Sequence, residues 1–549
     1  MKSFVLGICV LISINLAAQK KKVDSLAIKV DALFANYNNK TGPGVAIGVV
    51  HHGKAILKKG YGLANMEYDI PITSASIFDI ASVSKQFAGL AISTLIQQGK
   101  ISLADDIHKY VPEVPDFGQT ITISHLVHHT SGLRDWPEGL NVAGWRWNED
   151  FSFEDIMRMI KHQKELDFAP GSKYSYSNTG YNLLAVTVER VTGRSFREWT
   201  DENIFAPLQM TNSHFLDEES KLVKNMAYSY HKEGDAWHKN MTGLTALGSS
   251  SLFTNVDDLC KWVLHFDSRI AAKDPVYLRM LETVPLNNGD KNTYAFGLGM
   301  GEMGSLKTVA HTGGWAGYRT VILKFPDEDL NIIILGNDGA FNPFGTAGDV
   351  AKIVLGSKLK ANNAGADKIK DLPTVPLNTE IAKMWEGTYK LGDGWYVTLT
   401  LENNSLMTQA NGEPKFPTFP KSDSTIWIDA YNSSMTFVRS KDGSINSLKY
   451  RNIVAPRIMP LKTDLSNLQQ YSGMYYSEEF ETTYKIDVKD GKLMLHHMRL
   501  GDFELTPDMV EAGMFGCGLG RMEFTNESGK ITGFKLSRGR VKNLKFKRL

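Results

Sequence analysis

Ser82-Val83-Ser84-Lys85 sets a hydroxyl and an amine three residues apart, ahead of a helical pattern of Phe87, Leu90, Ala91, Thr94 and Leu95. At that spacing on a helix two side chains share a face, so the amine reaches the hydroxyl. A serine near a helix start also has unpaired backbone donors and the positive end of the dipole beside it. A desolvated lysine with other cations near it is neutral enough to take the hydroxyl proton and create a nucleophile. Ser-x-x-Lys alone is a common pattern, equally satisfied by a capping serine and a solvated lysine. Two companions narrow it. Tyr176-Ser177-Asn178 follows the turn Ala169-Pro170-Gly171-Ser172 and offers a tyrosine to exchange protons and an amide to hold a substrate carbonyl. His311-Thr312-Gly313-Gly314 precedes an apolar run from Arg319 to Phe325, and its glycine pair lets a substrate backbone approach closely. The N–H groups of Ser82 and Gly314 are the candidate oxyanion hole.

These groups need a scaffold, and the periodicities predict one. Apolar residues at 23, 26, 27, 30, 33, 34 and 37 keep a helical period up to the break Thr41-Gly42-Pro43-Gly44. Val45 to Val50 and Ala55 to Tyr61 flank His51-His52-Gly53-Lys54 as a hairpin; Arg319 to Phe325 and Leu330 to Leu335 flank Pro326-Asp327-Glu328-Asp329 as another. Between them the patterns are mainly helical, such as Tyr181 to Val191 before Gly193. Strands at both ends with helices between predict an α+β unit over residues 19–356, in which terminal strands join one antiparallel sheet beside a helical lobe. Residues 357–378 turn polar and read as a linker. Beyond it Trp385-Glu386-Gly387-Thr388-Tyr389 recurs as Tyr471-Ser472-Gly473-Met474-Tyr475, and Gly443-Ser444-Ile445 as Gly529-Lys530-Ile531, both 86 residues on. Two copies of short alternating strands, over 379–462 and 463–549, predict two small β-barrels or one merged barrel, since closure removes exposed strand edges.

Composition excludes partners more than it names them. Of 549 residues 42% are hydrophobic and 22% charged, with 61 basic against 60 acidic side chains. A net charge of +1 without a basic block argues against nucleic acid, where phosphate contacts require clustered Lys and Arg. Met1-Lys2, an apolar run to Ala18 and the small pair Ala17-Ala18 predict a secretory signal peptide over residues 1–18, hence an exported, periplasmic or secreted protein with no membrane span after cleavage. Cys260 and Cys517 then remain, too few for a disulfide scaffold; two inert thiols are favoured over a pair. No metal is expected at His125, His128 and His129, which lack His-Glu-x-x-His or comparable carboxylate spacing. Gly299-x-Gly301-x-x-Gly304 lacks the following helix of a dinucleotide site and reads as a glycine-rich hairpin. The sequence leaves the oligomeric state open.

The three motifs, in this order and spacing, resemble those of the serine β-lactamase and penicillin-binding-protein superfamily, in its class C branch of β-lactamases, D-alanyl-D-alanine carboxypeptidases, D-aminopeptidases and esterases. Leu126-Val127-His128-His129-Thr130-Ser131-Gly132-Leu133 and Ser251-Leu252-Phe253-Thr254-Asn255-Val256-Asp257-Asp258-Leu259 are family-like as well. The resemblance implies a two-lobed catalytic domain, Ser82 as acylated nucleophile, Lys85 as its activator, Tyr176 as general acid or base, and Asn178, His311, Thr312 and Gly313 as substrate-binding residues. It implies no cofactor, and as substrates D-amino-acid peptides, peptidoglycan fragments, β-lactams or small esters and amides. His311 departs from the lysine usual in β-lactamases, and neutral imidazole supplies no permanent cation for a substrate carboxylate. The alternatives are a β-lactamase proper and a non-catalytic penicillin-binding sensor or scaffold. The C-terminal repeats resemble lipocalin-like or D-aminopeptidase-type barrels, which would gate the cleft or bind a partner.

Overall fold

The computed structural model describes residues 26–37, 41–359, 366–411, 413–461 and 466–549. The expected signal peptide lies outside them. The chain divides into a unit over 1–360 and a second over 361–549.

The first unit is organised by an antiparallel sheet of six strands: β1 (Val45–His51), β2 (Lys54–Tyr61), β3 (Gly299–Met303), β4 (Leu306–Trp315), β5 (Tyr318–Phe325) and β6 (Leu330–Gly336), in the spatial order β3-β4-β5-β6-β1-β2. As the sequence predicts, the two ends meet: Val45 lies opposite Gly336 and His51 opposite Leu330. β1 and β6 are mostly apolar and buried along almost their whole length because both faces of the sheet are covered. On one face Ile47, Val49, Leu323 and Ile332 pack with Val30 and Phe34, from the helical segment over 26–33 and its end, and with Val350 and Ala351. On the other, Val256 and Cys260 lie over Gly48.

Four helices matter for the site: α1 (Lys85–Gln97), α2 (Asn178–Thr192), α3 (Val256–Ala271), which brings Val256 and Cys260 to the sheet, and α4 (Pro343–Leu355), which carries Val350 and Ala351. Helix α2 begins at Asn178, three residues earlier than the periodicity suggests, because Ser177 caps it by accepting the Gly180 N–H. It stops where expected, at Gly193 in the left-handed conformation. The glycine pattern at 299–304 is a hairpin, β3 turning into β4. Cys260 and Cys517 are free thiols; Cys260 is buried, with its thiol pushed up to about 12, while Cys517 is partly exposed.

In the second unit, the stretch read as a linker contains a short helix, Ala366–Asp371, and Val375 donates to the Pro420 carbonyl. The repeats take two related forms. Strands from Gly473–Ser477 to Val541–Arg548 run in sequence order as an eight-stranded barrel, closed where Tyr475 meets Arg548. Residues 387–458 form a nine-stranded sheet whose end strands, Phe416–Pro417 and Phe419–Ser422, are neighbours in sequence. Only Thr418 separates them, too short a link for one to turn back and pair with the other, so no ladder joins the two ends of the sheet. The copies share a side-chain device too. Tyr389 donates its hydroxyl to the Trp385 carbonyl and Tyr475 to that of Tyr471; Arg457 and Arg548 reach the backbone carbonyls of Glu386 and Ser472. Among the described residues no helix is long and apolar enough to cross a membrane.

Candidate active site

Ser82 lies in a tight helical turn, Ala81–Ser84, that runs into α1, and Lys85 opens the helix with its side chain wholly buried. Ala81, just before the serine, sits at φ 47°, a left-handed conformation unusual for alanine. Two contacts hold it: its N–H donates to Asp79 Oδ1 at 2.7 Å, and Thr320 Oγ1 on β5 donates to the Ile80 carbonyl at 2.9 Å.

Lys85 Nζ stands 3.2 Å from Ser82 Oγ, 2.7 Å from Asn178 Oδ1 and 2.7 Å from the Ser249 carbonyl. The Asn178 oxygen and the Ser249 carbonyl only accept, so two amine hydrogens are committed there. Nζ donates to Ser82 Oγ as well, and a neutral amine would instead turn its lone pair along that line to receive the hydroxyl proton. Asn178 is itself fixed: its N–H and Nδ2 both donate to Asp135 Oδ1, at 2.7 and 3.0 Å, which turns its oxygen toward Lys85.

Tyr176 lays its ring 4.8 Å from Lys85 Nζ, and Tyr181 does so at 5.7 Å. Tyr176 also packs at a tilt against His129, with ring centres 4.3 Å apart, and lies 6.1 Å from the rings of both Tyr294 and His311. His129 receives the Ser177 N–H on Nδ1 at 3.1 Å, which locks the Tyr176 segment onto this wall.

His311 is buried and uncharged. Its Nδ1 is 2.6 Å from the Thr312 carbonyl, so that nitrogen donates; Nε2 therefore accepts the Tyr294 hydroxyl at 2.8 Å. Burial first, then the nearby Lys85, push its pKa down to about 3. Beyond Ala310, β4 leaves β3 and pairs on one side with β5, with Gly313 opposite Thr320 and Gly314 opposite Arg319. Thr312 and Gly314 are exposed along this stretch, while Gly313 is buried. A Cβ on Gly313 would fall 2.2 Å from the Ile80 carbonyl oxygen, so only glycine lets the strand press against the nucleophile turn. Among the described residues no cluster of His, Cys, Asp and Glu is arranged to hold a metal.

The structure thus gathers Ser82, Lys85, Tyr176 and Asn178 around one amine, with His311 to Gly314 on the adjoining strand. A profile of the Beta-lactamase family matches residues 30–400. The chain belongs to the β-lactamase family. It is 27% identical over 419 residues to penicillin-binding protein 4* of Bacillus subtilis, covering 73% of this chain and 91% of that one. To the D-aminopeptidase of Brucella ovis it is 26% identical over 458 residues, 82% of each chain. The fold also matches the octameric penicillin-binding-protein homologue of Pyrococcus abyssi, with a TM-score of 0.56, 22% identity, and coverage of 87% of this chain and 98% of that one. As a family member the chain is a serine hydrolase of the β-lactamase and penicillin-binding-protein superfamily.

Motif reading passed over four participants. Asp135 and the Ser249 carbonyl hold Asn178 and Lys85, and neither stands at a telling distance from a motif. Tyr294 lies 17 residues before His311 and becomes its partner only once the β3–β4 hairpin folds back. His129 lies in a run with His125 and His128, and nothing in the sequence sets it beside the tyrosine it packs against.

Proposed function

We propose that the protein is an exported serine hydrolase that forms an acyl-enzyme on Ser82, acting on D-amino-acid peptides, peptidoglycan fragments or small esters and amides. The observation that carries the reading is the Lys85 amine, with two partners that can only accept and the Ser82 hydroxyl as the third. Ser82 passes its proton to Nζ as Oγ bonds to the substrate carbonyl carbon, and the carbonyl π electrons move onto oxygen. The N–H groups of Ser82 and Gly314 receive that oxyanion. Its collapse breaks the bond to the leaving group, which departs with a proton relayed by Tyr176. Water, giving its proton back through the same groups, then attacks the ester, releasing the acid and restoring Ser82.

The uncharged His311 supports substrates without a carboxylate at that strand, and relatives named D-aminopeptidase support D-residues on the acyl side. The pattern of residues 1–18 supports export, and the mature chain is expected to begin at Gln19 when its N-terminus is sequenced. The deciding experiment is a substrate panel (nitrocefin, a D-alanyl-D-alanine peptide, a D-amino-acid anilide and a nitrophenyl ester) with mass spectrometry for an adduct on Ser82. Hydrolysis of the anilide or ester that Ser82→Ala abolishes is expected. No adduct, or turnover unchanged in Ser82→Ala, overturns the mechanism.

A further inference from the structure

A cavity of about 610 Å³ opens in the first unit, and none of Ser82, Lys85, Tyr176, Asn178 or His311 lines it. Its volume is that of a small-molecule site. Leu216, Met226, Leu244 and Phe253 give it apolar walls. Asp79 also lines it, with only 3% of its surface exposed.

Asp79 is a buried acid without a counter-ion. Its carboxylate accepts the Ala81 N–H at 2.7 Å and a backbone bond from Ser251, but among the described residues no cation pairs with it. Desolvation raises its pKa to about 7. Lys221, the cation that lines the cavity, is committed to Asp217 at 2.8 Å. Two further carboxyl groups reach the same space. Asp150 Oδ1 takes the Gly243 N–H at 2.6 Å, and Glu219 lies against Gly243. Glu219 is held above the usual carboxylate range by burial and by the charges of Asp150 and Asp155. The remaining titratable groups are Tyr228 and Tyr318, and Tyr318 donates its hydroxyl to the Ala227 carbonyl at 2.6 Å.

Apolar walls around one buried carboxyl group that lacks a cation, with the exposed carboxyl groups of Asp150 and Glu219 beside it, select one kind of occupant. An anion is repelled and a neutral ligand leaves the buried acid uncompensated. An ammonium on an apolar body relieves both costs. We propose that this cavity is a binding site for small primary ammonium compounds with an apolar body, whose charged end pairs with Asp79. The site shares Asp79 with the turn that carries Ser82, but the binding does not depend on the reaction assigned to Ser82.

The test is calorimetric titration of full-length Ser82→Ala protein at pH 8 with hexylammonium, and with 1-hexanol as its neutral match. Hexylammonium is expected to bind at least tenfold more tightly than hexanol. Asp79→Asn in the same background should erase that preference, and Glu219→Gln, at the more open part of the cavity, should reduce it two- to fivefold. Equal affinity for the two probes, or no measurable hexylammonium binding, overturns the proposal. So does hexylammonium binding that neither substitution weakens. Should Asp79→Asn fail to fold, an unchanged preference in Glu219→Gln is by itself a refutation.

Discussion

Acidifying the protein from pH 8 to pH 5 should leave His311 uncharged. With its pKa near 3, about one imidazole in a hundred carries a proton at pH 5, where a free histidine would be almost fully charged. The cause is burial, which disfavours the charged ring, reinforced by the nearby Lys85; the Thr312 carbonyl, which takes the Nδ1 hydrogen, works the other way but is outweighed. Displacing the midpoint from 6.5 to about 3 corresponds to about 5 kcal/mol against the charged form. Because the folded value is the lower one, the unfolded chain binds the extra proton. The stability this site contributes is therefore full above pH 6.5 and drains away as the pH falls toward 3. Between pH 7 and pH 5 the loss is about 2 kcal/mol relative to His311→Gln, which cannot titrate. Urea unfolding of both proteins across that range measures the difference. Nitrogen-15 NMR of the imidazole, assigned by its disappearance in His311→Gln, reads the tautomer directly and should show Nδ1–H at pH 5. Parallel stability curves, or a His311 resonance titrating near pH 6, would refute the reasoning, and with it the claim that this strand offers substrates no cation.

Other perturbations probe the remaining supports. Asp135→Asn should cut kcat/KM for a nitrophenyl ester at least tenfold, because the amide no longer fixes Asn178 as a carboxylate does; an unchanged rate would mean Lys85 holds its position unaided. Gly313→Ala puts a methyl 2.2 Å from the Ile80 oxygen and 2.3 Å from Thr320 Oγ1, so it should lower stability by about 1–3 kcal/mol in thermal unfolding and slow acylation as the strand moves off the nucleophile turn. Arg548→Ala removes the bonds to the Gln470 and Ser472 carbonyls near the barrel seam and should cost about 1–3 kcal/mol in the second unit, leaving esterase activity unaltered.

What was legible in the sequence follows from what sequence encodes locally. Ser82 and Lys85 are three residues apart, and the helix between them converts that spacing into a 3.2 Å contact without further help. The hairpins at 45–61 and 318–336 were legible for the same reason, as were the copies of Trp385–Tyr389 and Tyr471–Tyr475. Tertiary partners were not. Asp135 meets Asn178 across 43 positions and Ser249 meets Lys85 across 164, and nothing in composition marks either. The repeats raised one barrel or two; the answer, one closed barrel and one sheet that stops short, turned on a break at Thr418 between the two end strands, which no repeat pattern marks.

The pairing of β1 with β6 also sets an order in time. Between residue 51 and residue 330 the ribosome must add roughly 280 residues, which at about 5–20 residues per second takes between a quarter of a minute and a minute. Until then β1 has its hairpin partner on one edge and none on the other, and the apolar faces that Val45 to Val50 present have no finished sheet to enter. The helices carrying Lys85 and Asn178 are synthesised inside that interval and wait for the same event. The barrel over 473–548 also waits for its last strand, but its seam joins Tyr475 to Arg548, 73 residues apart, against the roughly 280 between residues 51 and 330. The catalytic unit is therefore the slow-folding part of the chain, and the part made last is the quicker to close.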